Sequence, residues 1–233
     1  MAGRAESDAR VRAAYERRGR LGLDARYDYW HPANLFIYQS RERAFLEVLR
    51  ASGLLPLSGR RILDAGCGDG NVLLDLVRYG AEPAEIAGID LLENRVEHAR
   101  SRLPAADIRN ANAQAIPFPD GAFDLVLAFT LISSVVEPVA RGRVAAEIAR
   151  VTAPGGLVVI YDFWVNPFNR HARSVKHSEV RRLFAGHTVS LGSVTLAPPL
   201  VRALAGRRGG WVASTLLEML PFLRTHFLAG IHC

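Results

Sequence analysis

The stretch from Ile62 to Asn71 reads ILDAGCGDGN: an apolar run that takes in Asp64, then glycines at 66, 68 and 70. This segment constrains the fold more than any other. A short buried strand must stop where the glycines begin, because alternate glycines open backbone angles that other residues avoid. The residues that follow, GNVLLDLVRYG, carry helical apolar spacing and end on Gly80, a helix stop. A strand that turns through glycines into a helix offers free backbone N–H groups and close approach, which together make a nucleotide or anion site. The spacing is G-x-G-x-G. It is not the G-x-G-x-x-G of dinucleotide folds, and no G-x-x-x-x-G-K-[ST] of a P-loop is present.

The alternation continues past the loop. EIAGID reads as a strand, LENRVEHARSRL as a helix stopped by Pro104, and DIRNANA as a short strand. AFDLVLAFT is a strand, PVARGRVAAEIARVT a helix and GGLVVIYDF another strand. Strands alternating with helices imply an α/β fold with parallel strands and crossover helices on both faces. The near-continuous apolar runs LVLAF and LVVIY fit central strands buried on both sides. After Phe163 the rhythm breaks. A helix is expected from about Ser178, a strand in HTVSLGSVTLAPP, one apolar helical stretch in LVRALAGRRGGWVASTLLEMLP and a last strand in RTHFLAGIH. Ahead of the alternation, residues 1–20 form a polar, arginine-rich arm, and residues 21–38 hold aromatics among polar groups. Pro32 there reads as a helix breaker, so the helix marked by Phe45, Val48 and Leu49 is expected over 39–51.

The 233 residues, 49% hydrophobic and 22% charged, suffice for one domain with a full core. No apolar run reaches the roughly 18–20 residues that span a bilayer. The charged first twenty residues lack the apolar segment of a secretory signal. A cytoplasmic protein without stable membrane insertion is expected. Its two cysteines, Cys67 in the loop and Cys233 at the end, do not make a disulfide framework, and its seven scattered histidines do not complete a metal set. The net charge of +6 raises nucleic acid as a partner. Lys176 is the one lysine, and the arginines are spread rather than clustered, so the charge reads as compositional bias and nucleic acid is not expected.

Four ordered motifs carry a resemblance. ILDAGCGDG resembles the first motif of the class I S-adenosylmethionine-dependent methyltransferases, and IAGIDLLENRVEHAR resembles the second. ANAQAIPFPDGAFDLVLAFTLISSV resembles the third and fourth, and EIARVTAPGGLVVIYDF the helix, turn and fifth strand that follow. The likeness covers about residues 55–165. It implies a seven-stranded, mostly parallel, Rossmann-like sheet with helices on both faces. It further implies a helical cap over residues 1–50, a catalytic domain over 51–233 and a lid insertion at about 198–222, before the last strand. The implied cofactor is S-adenosylmethionine. Gly66, Gly68 and Gly70, with Ala65 and Cys67 between and before them, would run beside its methionine moiety, and Asp64 would face the amino group there. Asp90 would accept the ribose hydroxyls, and Leu91 would pack on the adenine. Asn112 stands where the family often has an acidic residue and can still accept through its carbonyl oxygen. Ala113 and Gln114 would line the adenine edge. Phe129 would wall the sulfonium cation, and Arg41 would reach the carboxylate.

The acceptor is less constrained. An activated methyl group moves by in-line displacement, which mainly needs positioning. A general base helps only a hydroxyl of high pKa. AFTLISSV after the fourth strand lacks the polar-Pro-Pro-aromatic motif of DNA amino-methylating enzymes. Neither cysteine suits attack on a pyrimidine. Asp162 stands alone, which argues against a metal-dependent catechol site, and there is no paired-glutamate loop of the protein-arginine enzymes. What remains resembles the small-molecule branch, natural-product or ubiquinone-type, although LISS replaces the LHH common there. The expected acceptor is a small, partly apolar metabolite methylated on oxygen, bound by Tyr27, Trp30, Tyr38, Ser133 and Trp164. Asp162, His31 and His171 are the candidate bases, with His177 beside them, while His226 reads as structural. WVASTLLEML is expected to cover the pocket, with a membrane or a second copy of the chain in a homodimer as its other uses. Methylation of RNA or of a peptide, and a silent cofactor-binding regulator, are the alternatives.

Overall fold

The computed structural model describes residues 12–13, 28–165 and 172–233; Tyr27 and His171 lie outside this set. Seven strands form one sheet in the order β3-β2-β1-β4-β5-β7-β6. They are β1 (Ile62–Ala65), β2 (Ile86–Asp90), β3 (Asp107–Asn110), β4 (Phe123–Phe129), β5 (Thr152–Phe163), β6 (Thr188–Leu196) and β7 (Arg224–His232). The first five pair in parallel, and β7 runs antiparallel to both β5 and β6. The helices are α1 (Pro32–Ala51), α2 (Asn71–Arg78), α3 (Glu93–Arg102), α4 (Leu131–Ser134), α5 (Pro138–Val151), α6 (His177–Leu183), α7 (Pro198–Leu204) and α8 (Gly210–Glu218).

Alternate residues of a strand face opposite sides, and β4 shows this directly. Leu125, Leu127 and Phe129 join a core with Phe45 and Leu49 of α1, Leu73 and Leu76 of α2, and Val96 and Ala99 of α3. Val126 and Ala128 join a second core with Val144, Ala145 and Ile148 of α5 and Val180 of α6. From Leu125 to Phe129 the apolar residues of β4 run without a break because both faces are covered.

One expectation is corrected. Pro32 does not break α1; it opens it. At the first helical position proline's missing N–H costs nothing and its fixed φ fits the helix. His31 caps the same end, its Nδ1 accepting from the Ala33 N–H at 3.3 Å. The helix therefore spans 20 residues rather than starting at 39. The apolar helical stretch after Pro199 forms two helices, α7 and α8, with the AGRRGG segment between them. Gly209, with φ at 74°, turns the chain between α7 and α8. The inner side of this pair packs on the start of α1: Phe36 meets Trp211 edge-on at 5.4 Å, beside Ala33, Leu196 and Val201. The outer side of α8 leaves Val212, Leu216 and Met219 exposed at 63%, 61% and 68%.

One charge lies wholly inside. Arg141 of α5 has no exposed surface; it bonds both carboxylate oxygens of Glu179 at 3.0 and 3.1 Å and the carbonyls of Val135 and Arg173 at 2.6 and 2.7 Å. It thereby ties the turn before α5 to the segment that enters α6. Removing one partner of a buried ion pair strands the other. Arg141→Ala is expected to cost about 3–5 kcal/mol, read as a lower midpoint in urea unfolding; a loss under about 1 kcal/mol would mean that solvent already reaches the pair.

Candidate active site

Between β1 and β4 the sheet order reverses, and in open α/β sheets ligands bind at the carboxyl ends of the strands beside such a reversal. The glycine turn sits there. The N–H groups of Gly66 and Cys67 both donate to the Ile89 carbonyl, at 2.8 and 2.9 Å, which locks the end of β1 to β2. Gly66 has φ at 83°, and a Cβ on it would lie 3.2 Å from a Leu131 methyl group. The Gly68 N–H donates to the Asp90 carboxylate at 3.0 Å, and the Leu92 N–H donates to its other oxygen at 2.9 Å. Burial pushes the Asp90 carboxyl up, while these two amides and Arg95 pull it back.

Of the residues expected to hold a nucleotide cofactor, Gly66, Asp90, Leu91, Asn112, Ala113, Gln114 and Phe129 line one cleft with about 760 Å³ of open space. Asp64, Ala65 and Cys67 lie buried at the end of β1 and the start of the turn, and Gly70, in the left-handed region, caps α2. The Asn112 side-chain oxygen accepts from the Gln114 N–H at 2.8 Å. Ser134, which the sequence marks beside Ser133 as able to hydrogen-bond substrate, lines the cleft too; Arg95 and Thr130 also line it, and nothing in their spacing announced them.

Two oxygens here stand without a partner. Oδ1 of Asp64 and Oε1 of Gln114 are buried and accept no hydrogen bond. Burial, and then the charge of Asp90, push the Asp64 carboxyl up to about 7 against the opposing pull of Arg41. Buried acceptors without donors are costly, and these two suit a ligand carrying an ammonium group and an aromatic amine. Arg41 reaches the same region from α1. Its guanidinium lies 5.3 Å from the Tyr38 ring, 5.3 Å from Phe129 and 5.8 Å from Tyr161, and 3.9 Å from the Asp75 carboxylate. A cation over ring faces is held by their quadrupoles.

The residues expected to serve the acceptor are scattered. Asp162 is fully buried and accepts from the N–H groups of Ser133 and Phe163, each at 2.9 Å; burial pushes it up to about 6. Its neighbour Tyr161 packs toward α1, so alternation along β5 turns Asp162 toward α5, on the opposite face from Phe129. Ser133 is buried with it, and Ser134 lines the cleft in its place. Trp164 packs in the α5–α6 core, 6.1 Å from the His177 ring. His31 is a helix cap, and Trp30 is 77% exposed. Tyr38 is half-buried, stacked on Tyr29 at 5.5 Å. Among the described residues no group of His, Cys, Asp and Glu could hold a metal ion, and no helix is long and apolar enough to cross a membrane.

Comparison with known proteins agrees with this geometry. Residues 63–160 match the family model described as a methyltransferase domain. An uncharacterised methyltransferase of Mycobacterium avium is 31% identical over 235 residues, covering 92% of this chain and 86% of that protein. The 27-O-demethylrifamycin SV methyltransferase of Amycolatopsis mediterranei is 31% identical over 153 residues, covering 63% of this chain and 53% of that protein. This chain therefore spans about half the length of the rifamycin enzyme. Among solved structures, the [4+2]-cyclase SpnF superposes with a TM-score of 0.60 at 23% identity, over 83% of this chain and 81% of that one. A methyltransferase from Mesorhizobium loti gives 0.58 at 18%, over 80% and 96%. The chain belongs to the class I S-adenosylmethionine-dependent methyltransferases, whose cofactor is S-adenosylmethionine.

Asp64 makes the free protein sensitive to pH. A carboxyl raised from 3.8 to about 7 binds its proton more tightly when folded, so stability falls as pH rises from about 4 to about 7. The full effect is about 4 kcal/mol, of which about 3 falls between pH 5 and pH 8. Asp64→Asn is expected to unfold at higher urea than the wild type at pH 8, with a smaller difference between the two pH values. An equal difference in both proteins would show that Asp64 is ionised throughout.

Proposed function

We propose that this chain transfers the methyl group of S-adenosylmethionine to an oxygen of a small, partly apolar metabolite. The pair of unpartnered buried oxygens, Asp64 Oδ1 and Gln114 Oε1, set against the glycine turn, carries the cofactor half of this reading. The cofactor supplies a methyl group on a sulfonium, already activated for displacement. The protein's share is to hold and orient. The backbone from Ala65 to Gly68 runs beside the methionine moiety, with Gly70 opening α2 behind it. Asp64 faces the ammonium group, and Arg41 the carboxylate, by a charge-assisted bond. Asp90 keeps two lone pairs for ribose hydroxyls beyond the amides it already accepts. Leu91, Asn112, Ala113 and Gln114 enclose the adenine, and Phe129 offers a ring face to the sulfonium.

The oxygen acceptor is supported by the aromatic side chains around Arg41 and by the printed name of the Amycolatopsis relative, which specifies an O-demethylated substrate. The region over residues 198–222 serves as the lid on this side. Glu218, at the end of α8, accepts from the Ser40 hydroxyl of α1 and from the Leu196 N–H at 3.2 Å, joining lid, cap and sheet.

Calorimetric titration with S-adenosylmethionine tests the cofactor half. Asp90→Ala is expected to weaken binding about 10- to 100-fold, the value of hydrogen bonds to a charged group. Binding by the wild type is expected to tighten from pH 5.5 to pH 7.5 with proton release, because the bound ammonium favours ionised Asp64. Above about pH 8 the ligand's own amine begins to lose its charge. Asp64→Asn should bind more weakly and without this rise. Unchanged binding in Asp90→Ala would overturn the assignment. Release of S-adenosylhomocysteine with a panel of phenols, enols and alcohols, and the mass of the product, tests the acceptor half.

A further inference from the structure

The sheet face under α1 carries a set of groups of which the cofactor reading uses Phe129 alone. Register pairs Phe129 with Tyr161 and Tyr161 with Leu228; one row further out it pairs Phe163 with His226 and His226 with Val194. Residues paired across strands share a face. Because β7 is antiparallel, its first residues lie at the carboxyl end of β5. Phe129, Tyr161, Phe163 and His226 thus form one aromatic floor beside the cleft. The Tyr161 ring is 5.7 Å from Phe129 and lies parallel to His226 at 5.1 Å and 7°, and Phe163 meets His226 edge-on at 6.0 Å.

This floor is fixed with unusual care. The Thr130 N–H donates to the Tyr161 carbonyl at 2.7 Å, and the Thr195 hydroxyl lies 3.1 Å from the Tyr161 phenol oxygen. Both threonines are left-handed, with φ at 54° and 62°. That conformation is a real cost for a β-branched residue, and such strain collects where position matters to function. His226 is half-buried, while Phe227 to Ile231, which follow it in β7, are buried. Its Nδ1 is 3.1 Å from the Thr225 hydroxyl. With Nδ1–H donating there, Nε2 keeps a lone pair.

We propose that this floor is the acceptor subsite, that it takes a flat ring bearing a hydroxyl, a phenol or an enol, and that His226 receives the proton of the hydroxyl being methylated. The assignment rests on the methyl-transfer reading above. The acceptor oxygen forms its bond to the methyl carbon as the carbon–sulfur bond breaks; the electron pair goes to sulfur, and S-adenosylhomocysteine leaves. As the new bond forms, the hydroxyl proton becomes strongly acidic, so a weak base is enough to take it. It passes to Nε2 of His226 and then to water.

The charges around His226 fit that role. Burial and the Arg41 guanidinium push its imidazole down to about 4. Glu218 acts on the neighbouring Tyr161, whose phenol is raised to about 12 by burial and stays protonated. Arg224, on the same strand, donates to the carbonyls of Glu218 and Ser193. The ring is therefore neutral from pH 6 to pH 9, and Arg41 drives the acquired proton back to solvent after each turnover.

The test uses 2-naphthol and 2-methoxynaphthalene as probes, titrated into the protein saturated with S-adenosylhomocysteine. The two share a ring, but only the first donates a hydrogen bond. The wild type should prefer 2-naphthol about five- to tenfold, the value of one hydrogen bond, and lose that preference below about pH 4. His226→Phe should bind S-adenosylhomocysteine and the ring as before, with a ratio near one, and turn over about 10²–10⁴-fold more slowly. His226→Asn, which keeps an acceptor atom, should restore part of the preference. A ratio unchanged in His226→Phe would overturn the proposal, as would a wild type that binds S-adenosylhomocysteine and neither naphthalene. Failure to bind S-adenosylhomocysteine would instead overturn the methyl-transfer reading itself.

Discussion

The site depends on one clasp: two consecutive amides, of Gly66 and Cys67, converging on the carbonyl of Ile89. A strand normally spends its amides on its neighbour one at a time, facing alternately left and right. Here the chain leaves β1, turns through left-handed glycines and gives both amides to β2. That turn frees the end of β1, lets Gly68 meet the Asp90 carboxylate, and sets α2 off along one face of the sheet. The cleft follows from this local event, because β1 is where the strand order reverses.

Burial then sets the chemistry. Asp64 precedes the turn on a strand with no exposed side chain, so its carboxylate has lost water before any ligand arrives. Asp90 ends the next strand, less deeply buried and held by two amides and Arg95. Two carboxylates two strands' ends apart thus meet different surroundings. Burial raises both, but at Asp90 two amides and Arg95 offset part of the rise, whereas Asp64 is pushed up to about 7. The difference suits their separate partners, a cation for Asp64 and neutral hydroxyls for Asp90.

That Gly66, Asp90, Leu91, Asn112, Ala113, Gln114 and Phe129 gather along one cleft was legible in the sequence because their signals are local. Glycine spacing, the acidic residue closing β2 and the apolar runs of β4 and β5 all act within a few residues of where they are read. The acceptor half was not, because its signals are register and facing. Asp162 and Tyr161 are adjacent in sequence, and only the packing of α1 and α5 decides which one meets the cofactor side. His226 looked like an ordinary strand opener. Its place beside Tyr161 depends on β7 inserting antiparallel between β5 and β6, a pairing between residues more than sixty positions apart. Pro32 misled for a different reason. Its meaning changes from stop to start with a shift of a few residues in the helix boundary, and the cap at His31 is too weak a signal to fix that boundary.

Arg41 joins the halves. It enters from α1, a helix that lies outside the family's glycine-and-strand core, and its guanidinium acts on Asp64, Tyr161 and His226 alike. A cation in that position lowers the cost of an ionised Asp64 and raises the cost of a protonated His226. The same charge therefore favours the form of Asp64 that holds an ammonium group and the form of His226 that can accept a proton. Because α1 also carries the contact of Ser40 with Glu218 at the end of α8, any shift of α8 that moves α1 moves this charge relative to both Asp64 and His226. In the proposed reading, cofactor grip and acceptor chemistry are coupled through one side chain, and a conservative exchange to lysine, which lacks the planar fork and stacks poorly on rings, would not preserve that coupling.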